Sequence, residues 1–221
     1  FGAADLNDIV NAIQFKTTSV VQGDRTATIS YTDLAGNAGT SATTTLTVDT
    51  IAPDAPDLAA TGGIDTTSST TLDAAEAAAG KSIAGGLQAP TNTDIGTVTI
   101  GFTGLDPGND KLLLDVAQDL ALNFNANNVS VGGITGVNYS YTAGAGGTGS
   151  LTLSKSGGGA FTPAEIEAIV IGLKFQTSAA AAQGDRTASI SYSDVAGNQG
   201  ASSVSTLKVD TQGPSAIDLS A

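Results

Sequence analysis

The feature that most constrains this chain is an internal repeat. The 29-residue segment that begins at Gln22 recurs from Gln183, with 20 of 29 positions identical at an offset of 161. The match continues upstream at an offset of 160, where Ile9, Val10 and Phe15 correspond to Ile169, Val170 and Phe175. Segments that recur at a fixed spacing predict similar structural units arranged in tandem along the chain.

The two copies of this segment define the expected domain boundaries. Residues 1–50 correspond to the C-terminal third of one repeat, residues 51–210 to a complete repeat, and residues 211–221 to the start of the next one. The boundary is marked by Asp49–Pro53, which corresponds to Asp210–Pro214. We therefore expect residues 51–210 to fold as a unit and residues 1–50 to lack the strands that complete their repeat.

The complete repeat has mainly the period-two pattern of half-buried strands. Polar and apolar residues alternate over residues 97–102 and 188–193, and Gly, Asn and Asp separate the apolar stretches. Further strands are predicted at residues 111–116, 136–142, 150–154, 171–176 and 203–209. Many short strands with turn residues between them predict an all-β antiparallel sandwich.

Two segments have helical signals. Thr162-Pro163-Ala164-Glu165 is a capping box with Pro at the first helical position, and it predicts one short helix per repeat. Residues 72–79 also have high helix propensity, but they fit the start of a strand equally well.

Composition excludes several classes of function. The chain has no Cys and no His, which removes thiol chemistry, Ser-His-Asp triads and zinc or haem sites, so we expect no enzymatic activity. Its net charge of −13 opposes binding to nucleic acids and to anionic membranes. Of the 21 acidic residues 18 are Asp, a bias that favours turns and the coordination of hard cations.

Several motifs resemble a known family. VDTIAP at 48–53, DLAGN at 33–37, DVAGN at 194–198 and LDAAEAAAG at 72–80 are similar to motifs of the bacterial Ig-like and cadherin-like repeats of giant RTX- or Bap-type surface adhesins. In that family a D-x-A-G-N turn, a last strand ending in V-D-T and a following A-P recur in successive domains. The resemblance implies an Ig-like sandwich, an extracellular location on the bacterial cell surface and a role in cell adhesion and biofilms.

Strand direction predicts which acidic residues meet. The strand from Arg186 to Asp194 has nine residues, about 30 Å at roughly 3.3 Å per residue, so Asp185 and Asp194 cannot share one site. In an Ig-like sandwich the turn that begins at Asp194 lies beside the start of the domain. The carboxylates expected at this junction are those of Asp49, Asp54, Asp57 and Asp194, together with Asp24 from the preceding repeat. The second junction is expected to gather Asp185, Asp210 and Asp218.

Calcium is the cation that these clusters favour, because several irregularly spaced carboxylates without His or Cys suit a hard, oxygen-binding ion. The alternative interpretation is that each Asp caps its own turn through the backbone.

Three functions are compatible with the sequence. The first is a structural extender repeat of an adhesin, which contacts neighbouring repeats of the same chain and is made rigid by calcium at the junctions. The second is a self-assembling surface-layer, sheath or filament subunit, which contacts other copies. The third is glycan binding, which needs an exposed aromatic platform and is ranked last because the chain has only four Tyr and six Phe.

Overall fold

The structure is a computed structural model that describes residues 2–59 and 62–213. It is mostly β, with 42% of residues in strands and 12% in helices, as expected for an all-β fold. In chain order the described elements are α1 (Ala3–Ala12), β1 (Gly23–Ile29), β2 (Ala42–Val48), β3 (Thr67–Leu72), α2 (Ala74–Ala79), β4 (Lys81–Ser82), β5 (Ile95–Thr103), β6 (Lys111–Leu113), β7 (Ala117–Asp119), β8 (Phe124–Val131), β9 (Ile134–Gly144), β10 (Thr148–Lys155), α3 (Pro163–Gly172), β11 (Lys174–Gln176), β12 (Gly184–Asp194) and β13 (Ser203–Val209).

The chain divides into two compact units, residues 1–51 and residues 52–221. The first unit contains α1 and the antiparallel hairpin of β1 and β2, in which Gly23 pairs with Val48 and Ile29 pairs with Ala42. No residue of α1 is buried.

The second unit is built on two sheets. The larger has the strand order β3-β13-β12-β5-β10-β9-β8, and the smaller has the order β4-β11-β6-β7. All neighbours in the larger sheet are antiparallel except β13 and β3, which are parallel. Side chains from both sheets belong to one hydrophobic core, which includes Ile100 and Ile190 from the larger sheet and Leu112 and Phe175 from the smaller.

The central strands follow the alternation of the sequence. In β5 the side chains of Val98, Ile100 and Phe102 are buried, and the intervening residues are not. Strand β12 shows the same pattern at Ala188 and Ile190. Burial of one strand face against the core sets the register, because a shift by one residue would expose every apolar side chain of that strand.

Helix α3 begins at the predicted capping box. The Thr162 side chain accepts a hydrogen bond from the Glu165 backbone N–H, and the Glu165 carboxylate accepts one from the Thr162 N–H. Lys155 lies 3.0 Å from the same carboxylate. The bond from Thr162, assisted by Lys155, lowers the pKa of Glu165 below its usual value.

Three segments differ from the sequence predictions, and in one of them the strand predicted at 111–116 is reduced to Lys111–Leu113. Strand β3 ends at Leu72, and Asp73 caps helix α2 by accepting hydrogen bonds from Ala75 and Glu76, so the open alternative at residues 72–79 is resolved as a helix. The strand predicted at 171–176 is reduced to Lys174–Gln176, because α3 continues through Gly172.

A buried ion pair joins strand β12 to the loop between β5 and β6. The Arg186 Nε donates to Asp110 Oδ2 at 2.9 Å, and both side chains are almost fully buried. Thr177 donates its hydroxyl to the other oxygen of Asp110. Removing one partner of such a pair leaves an uncompensated buried charge, which typically costs about 3–5 kcal/mol.

The repeat supplies a matched test of the core. We expect Phe175→Ala to lower the free energy of unfolding by about 3–5 kcal/mol, because Phe175 is fully buried. The control is Phe15→Ala, at the corresponding position of residues 1–51, where the side chain is 51% exposed and the expected change is within about 0.5 kcal/mol. Urea denaturation measures both, and equal losses would contradict the assignment of the core.

The buried tyrosines predict a loss of stability in alkali. Burial, with the neighbouring Asp115, raises the pKa of Tyr139 from 10.0 to about 12, and burial, with Asp119, raises that of Tyr141 to about 12. A folded pKa above the unfolded one gives stability that is complete below pH 10 and is lost as the pH rises towards about 12. In urea denaturation between pH 9 and pH 12 we expect a shallower loss for the double variant Tyr139→Phe and Tyr141→Phe than for the unaltered chain. Parallel pH profiles would contradict this assignment.

Candidate cation-binding site

The acidic residues of β12 lie at its two ends, as the sequence predicts. Asp194 is the last residue of this 11-residue strand, and Asp185 is its second residue. Strand β13 returns to the Asp185 end, because Val209 pairs with Gly184 and Asp210 follows Val209. Asp185 and Asp210 therefore share one end of the sheet, and Asp194 occupies the other.

The Asp194 side chain closes a tight turn. Its Oδ1 accepts a hydrogen bond from the Asn198 N–H, and its Oδ2 accepts one from the Asn198 amide, both at 2.8 Å. Gly197 adopts φ of 92°, a conformation that favours glycine. Asp194 is only 3% exposed, so its carboxylate is held in one orientation by the turn.

The same turn occurs in residues 1–51. Asp33 accepts hydrogen bonds from Ala35 and from the backbone and side chain of Asn37. The Asn37 side chain is the main cause that lowers the pKa of Asp33 below 3.8. Asp33 thus fits the interpretation that Asp residues cap their own turns. Asp194 caps its turn in the same way, but it also lies close to a second carboxylate.

The start of the second unit lies beside the Asp194 turn. A Cβ atom on Gly200 would collide with the Pro53 carbonyl oxygen, and Ser203 donates its hydroxyl to the Pro56 carbonyl. The Val195 N–H also donates to the Asp94 carbonyl oxygen at 2.9 Å. This close approach agrees with the expected position of the Asp194 turn.

Asp94 brings a second carboxylate to this turn. A carboxylate oxygen of Asp94 lies within 4.8 Å of one of Asp194. Two oxygens that each contact a calcium ion at about 2.4 Å are at most about 4.8 Å apart, so both carboxylates can contact one ion. The remaining ligands of a site with six to eight oxygens would come from other carboxylates, carbonyls or water.

Sequence reasoning missed Asp94. Its neighbours Thr93 and Ile95 belong to no repeated motif, and it lies 100 positions before Asp194. The pairing of Asp194 with Ile95 brings the two acids together. The only available signal was a lone Asp directly before a strongly alternating strand.

Asp54 and Asp57, also predicted for the first junction, accept hydrogen bonds from other residues of the second unit. Asp57 accepts hydrogen bonds from the N–H groups of Ala59 and Asp65. The Asp54 carboxylate accepts a long hydrogen bond of 3.5 Å from the Thr91 hydroxyl. Among the described residues, neither Asp54 nor Asp57 belongs to a group of three close acidic side chains.

In residues 1–51, Asp24 accepts a hydrogen bond from the Thr47 hydroxyl at 2.8 Å, and Asp49 accepts one from the Ile51 N–H at 3.2 Å. At the second junction Asp185 pairs across the sheet with Lys208, and the Asp210 N–H donates to Leu72. Asp218 lies outside the described residues.

A surface groove of about 610 Å³ lies next to the Asp194 turn. It is lined by Asp194, Lys155 and the glycines at 157–159, among other small and polar residues, and no aromatic side chain is among them. Sugars are typically bound against aromatic faces, so the groove gives no support to glycan binding.

No family model, no curated protein and no solved structure matches this chain. Within residues 2–59 and 62–213, none of the helices has the length and apolar character needed to cross a membrane.

In the absence of calcium, removing Asp94 and removing Asp194 should affect stability differently. With chelator, Asp194→Ala should have a free energy of unfolding about 1–3 kcal/mol below that of Asp94→Ala, because both variants remove the repulsion between the two carboxylates but only Asp194→Ala leaves the turn without its buried hydrogen-bond acceptor. Asp94→Ala removes one of two like charges, which repel by about 1–4 kcal/mol at 4 Å, and should leave stability unchanged or raise it. Chemical denaturation in chelator measures both, and an equal loss for the two variants would contradict the distinction.

Proposed function

We propose that this chain is part of an array of structural extender repeats of an extracellular bacterial adhesin. Each repeat is an Ig-like or cadherin-like sandwich, and calcium at the junctions between repeats makes the array rigid. The observation that carries this proposal is that the repeat in sequence is also a repeat in structure.

The two copies of the hairpin have the same register. Strand β1 pairs with β2 from Gly23 and Val48 onwards, and β12 pairs with β13 from Gly184 and Val209, each position shifted by 161. At the end of each hairpin the same two hydrogen bonds recur. The Thr50 N–H donates to the Gln22 side-chain oxygen and the Gln22 amide donates to the Thr50 hydroxyl, and Thr211 and Gln183 make the same pair of bonds. Residues that make the same local contacts in successive copies favour a modular array.

Calcium is proposed at the end that holds Asp94 and Asp194. Asp194 is buried and oriented, and Asp94 is close enough to contact the same ion. The proposed site also includes Asp49 and Asp24 as carboxylates from the preceding repeat. Asp54 and Asp57, which follow Asp49 closely in sequence, belong to the same proposal. The second junction would use Asp185, Asp210 and Asp218. Extracellular modules typically bind calcium at about 10⁻⁴ to 10⁻³ M, a concentration range met outside cells.

The second candidate is a subunit of a filament or surface layer. It is favoured by the exposed apolar side chains of residues 1–51, which include Ile13, Phe15 and Tyr31. Small-angle scattering of a chain with two tandem repeats distinguishes the two functions. An extended monomer at every concentration supports the extender, and growth of fibres or sheets with concentration supports the subunit.

The calcium site predicts a thermal shift. At free calcium tenfold above the dissociation constant, one site adds about 1.4 kcal/mol to the folded state, which raises Tm by about 3–6 °C for a unit of this size. The shift should disappear in the double variant Asp49→Ala and Asp194→Ala. It should persist in Asp8→Ala, which removes an exposed acid of α1 outside the proposed site. A Tm that does not respond to chelation of the unaltered chain would contradict the site.

A further inference from the structure

The first and last strands of the second unit lie side by side. Among its described residues, β3 is the first strand and β13 is the last. The two pair in parallel over six positions, from Thr67 with Val204 to Leu72 with Val209. On its other side β13 is held by β12 over seven paired positions. Strand β13 thus fastens the beginning of this unit to the middle of the larger sheet.

The chain enters and leaves this parallel pair at opposite ends. Before β3, the Pro56 carbonyl accepts a hydrogen bond from the Ser203 hydroxyl, at the first residue of β13. After β13, the Asp210 N–H donates to the carbonyl of Leu72, the last residue of β3. The seven residues of β13 separate these points by about 20 Å, at roughly 3.3 Å per residue.

This geometry decides how the pair responds to tension. A force that stretches the chain from both ends of the unit pulls two parallel strands in opposite directions along their own axes. In this shear geometry the hydrogen bonds of the ladder carry the load together. A force across the strands would instead break the same bonds one after another from one end, because neighbouring bonds are evenly spaced along a parallel ladder.

The ladder is complete at both ends and is shielded from water at one of them. The Val204 N–H donates to the Thr66 carbonyl at 2.8 Å, and the bond from Asp210 to Leu72 measures 3.0 Å. The Leu72 side chain is fully buried and that of Val209 is 3% exposed. Buried hydrogen bonds resist replacement by water, so the Leu72 end holds until the whole ladder moves.

We propose that the parallel pair of β3 and β13 is a mechanical clamp, which keeps the second unit folded when the chain is stretched from its ends. An extender repeat that holds an adhesin under tension needs such resistance, and the use of the clamp therefore rests on the proposed function. Neither Asp94 nor Asp194 belongs to β3 or β13, except through the turn that precedes β13, so the clamp works without calcium.

The absence of Cys allows the direction of the force to be chosen through introduced attachment points. One full-length chain carries Ile51→Cys and Gln212→Cys, at exposed positions on either side of the unit, and is loaded in shear. A second carries Ala75→Cys and Gln212→Cys. These two positions line one surface depression beyond the C-terminal ends of β3 and β13, so the same ladder is opened from one end.

Single-molecule force spectroscopy in chelator, at one pulling speed, measures both chains. We expect the unfolding force to be several-fold higher between positions 51 and 212 than between positions 75 and 212. The shear event should lengthen the chain by about 550 Å, because the stretch between the attachment points spans at most about 3.6 Å per residue. Equal forces in the two directions would overturn the clamp.

The alternation of the ladder supplies a matched pair of substitutions. Because the carbonyls of Thr66 and Leu72 face β13, the even positions between them face it too, and the odd positions face the open edge of the sheet. Thr70→Pro therefore removes a ladder donor, and Ser69→Pro removes an N–H that points away from β13. With attachment at positions 51 and 212, we expect a clear loss of unfolding force for Thr70→Pro and little change for Ser69→Pro.

Circular dichroism establishes that each proline variant is folded before it is stretched. An equal loss of force in the two folded variants would contradict the clamp, and if Thr70→Pro does not fold, the comparison of the two pulling directions decides. The result is separate from the tests of the extender. A chain that is an extended monomer in scattering and responds to calcium, but unfolds at equal force in both directions, would keep the proposed function and reject the clamp.

Discussion

The fold of residues 52–213 depends on the antiparallel pairing of β12 with β5. This pairing joins segments about 90 residues apart and places both strands in the middle of the larger sheet. The apolar side chains of both strands enter one core, so burial and backbone hydrogen bonding support the same register. The smaller sheet and α3 complete this core, which explains why Phe175, Ile166 and Ile169 are fully buried.

The buried ion pair adds specificity to this pairing. The arginine is present in both copies of the hairpin, as Arg25 and Arg186, but among the described residues only Arg186 has a carboxylate partner, Asp110 from the loop between β5 and β6. A charge of this kind is tolerated in a core only when its partner and further hydrogen bonds are present. The pair therefore favours one position of the hairpin in the sheet, which hydrophobic burial alone does not specify.

The two ends of the hairpin of β12 and β13 carry different groups. One end carries the Asp194 turn, the start of the unit and the acidic pair with Asp94. The other end carries Asp185, Asp210 and the hydrogen bonds between Gln183 and Thr211. The extender array that we propose would use both ends, because each of its repeats would meet one neighbour at each end.

The sequence by itself determined the local structure: the strands at 97–102 and 203–209, the helix at the Thr162 capping box, and the opposite positions of Asp185 and Asp194. These features depend on alternation, capping and chain length, all of which are local. Only the tertiary structure decided the parallel pairing of β3 with β13, the partner of Arg186 and the proximity of Asp94 to Asp194. Each of these joins residues more than 70 positions apart, and no period or motif encodes which distant strands become neighbours.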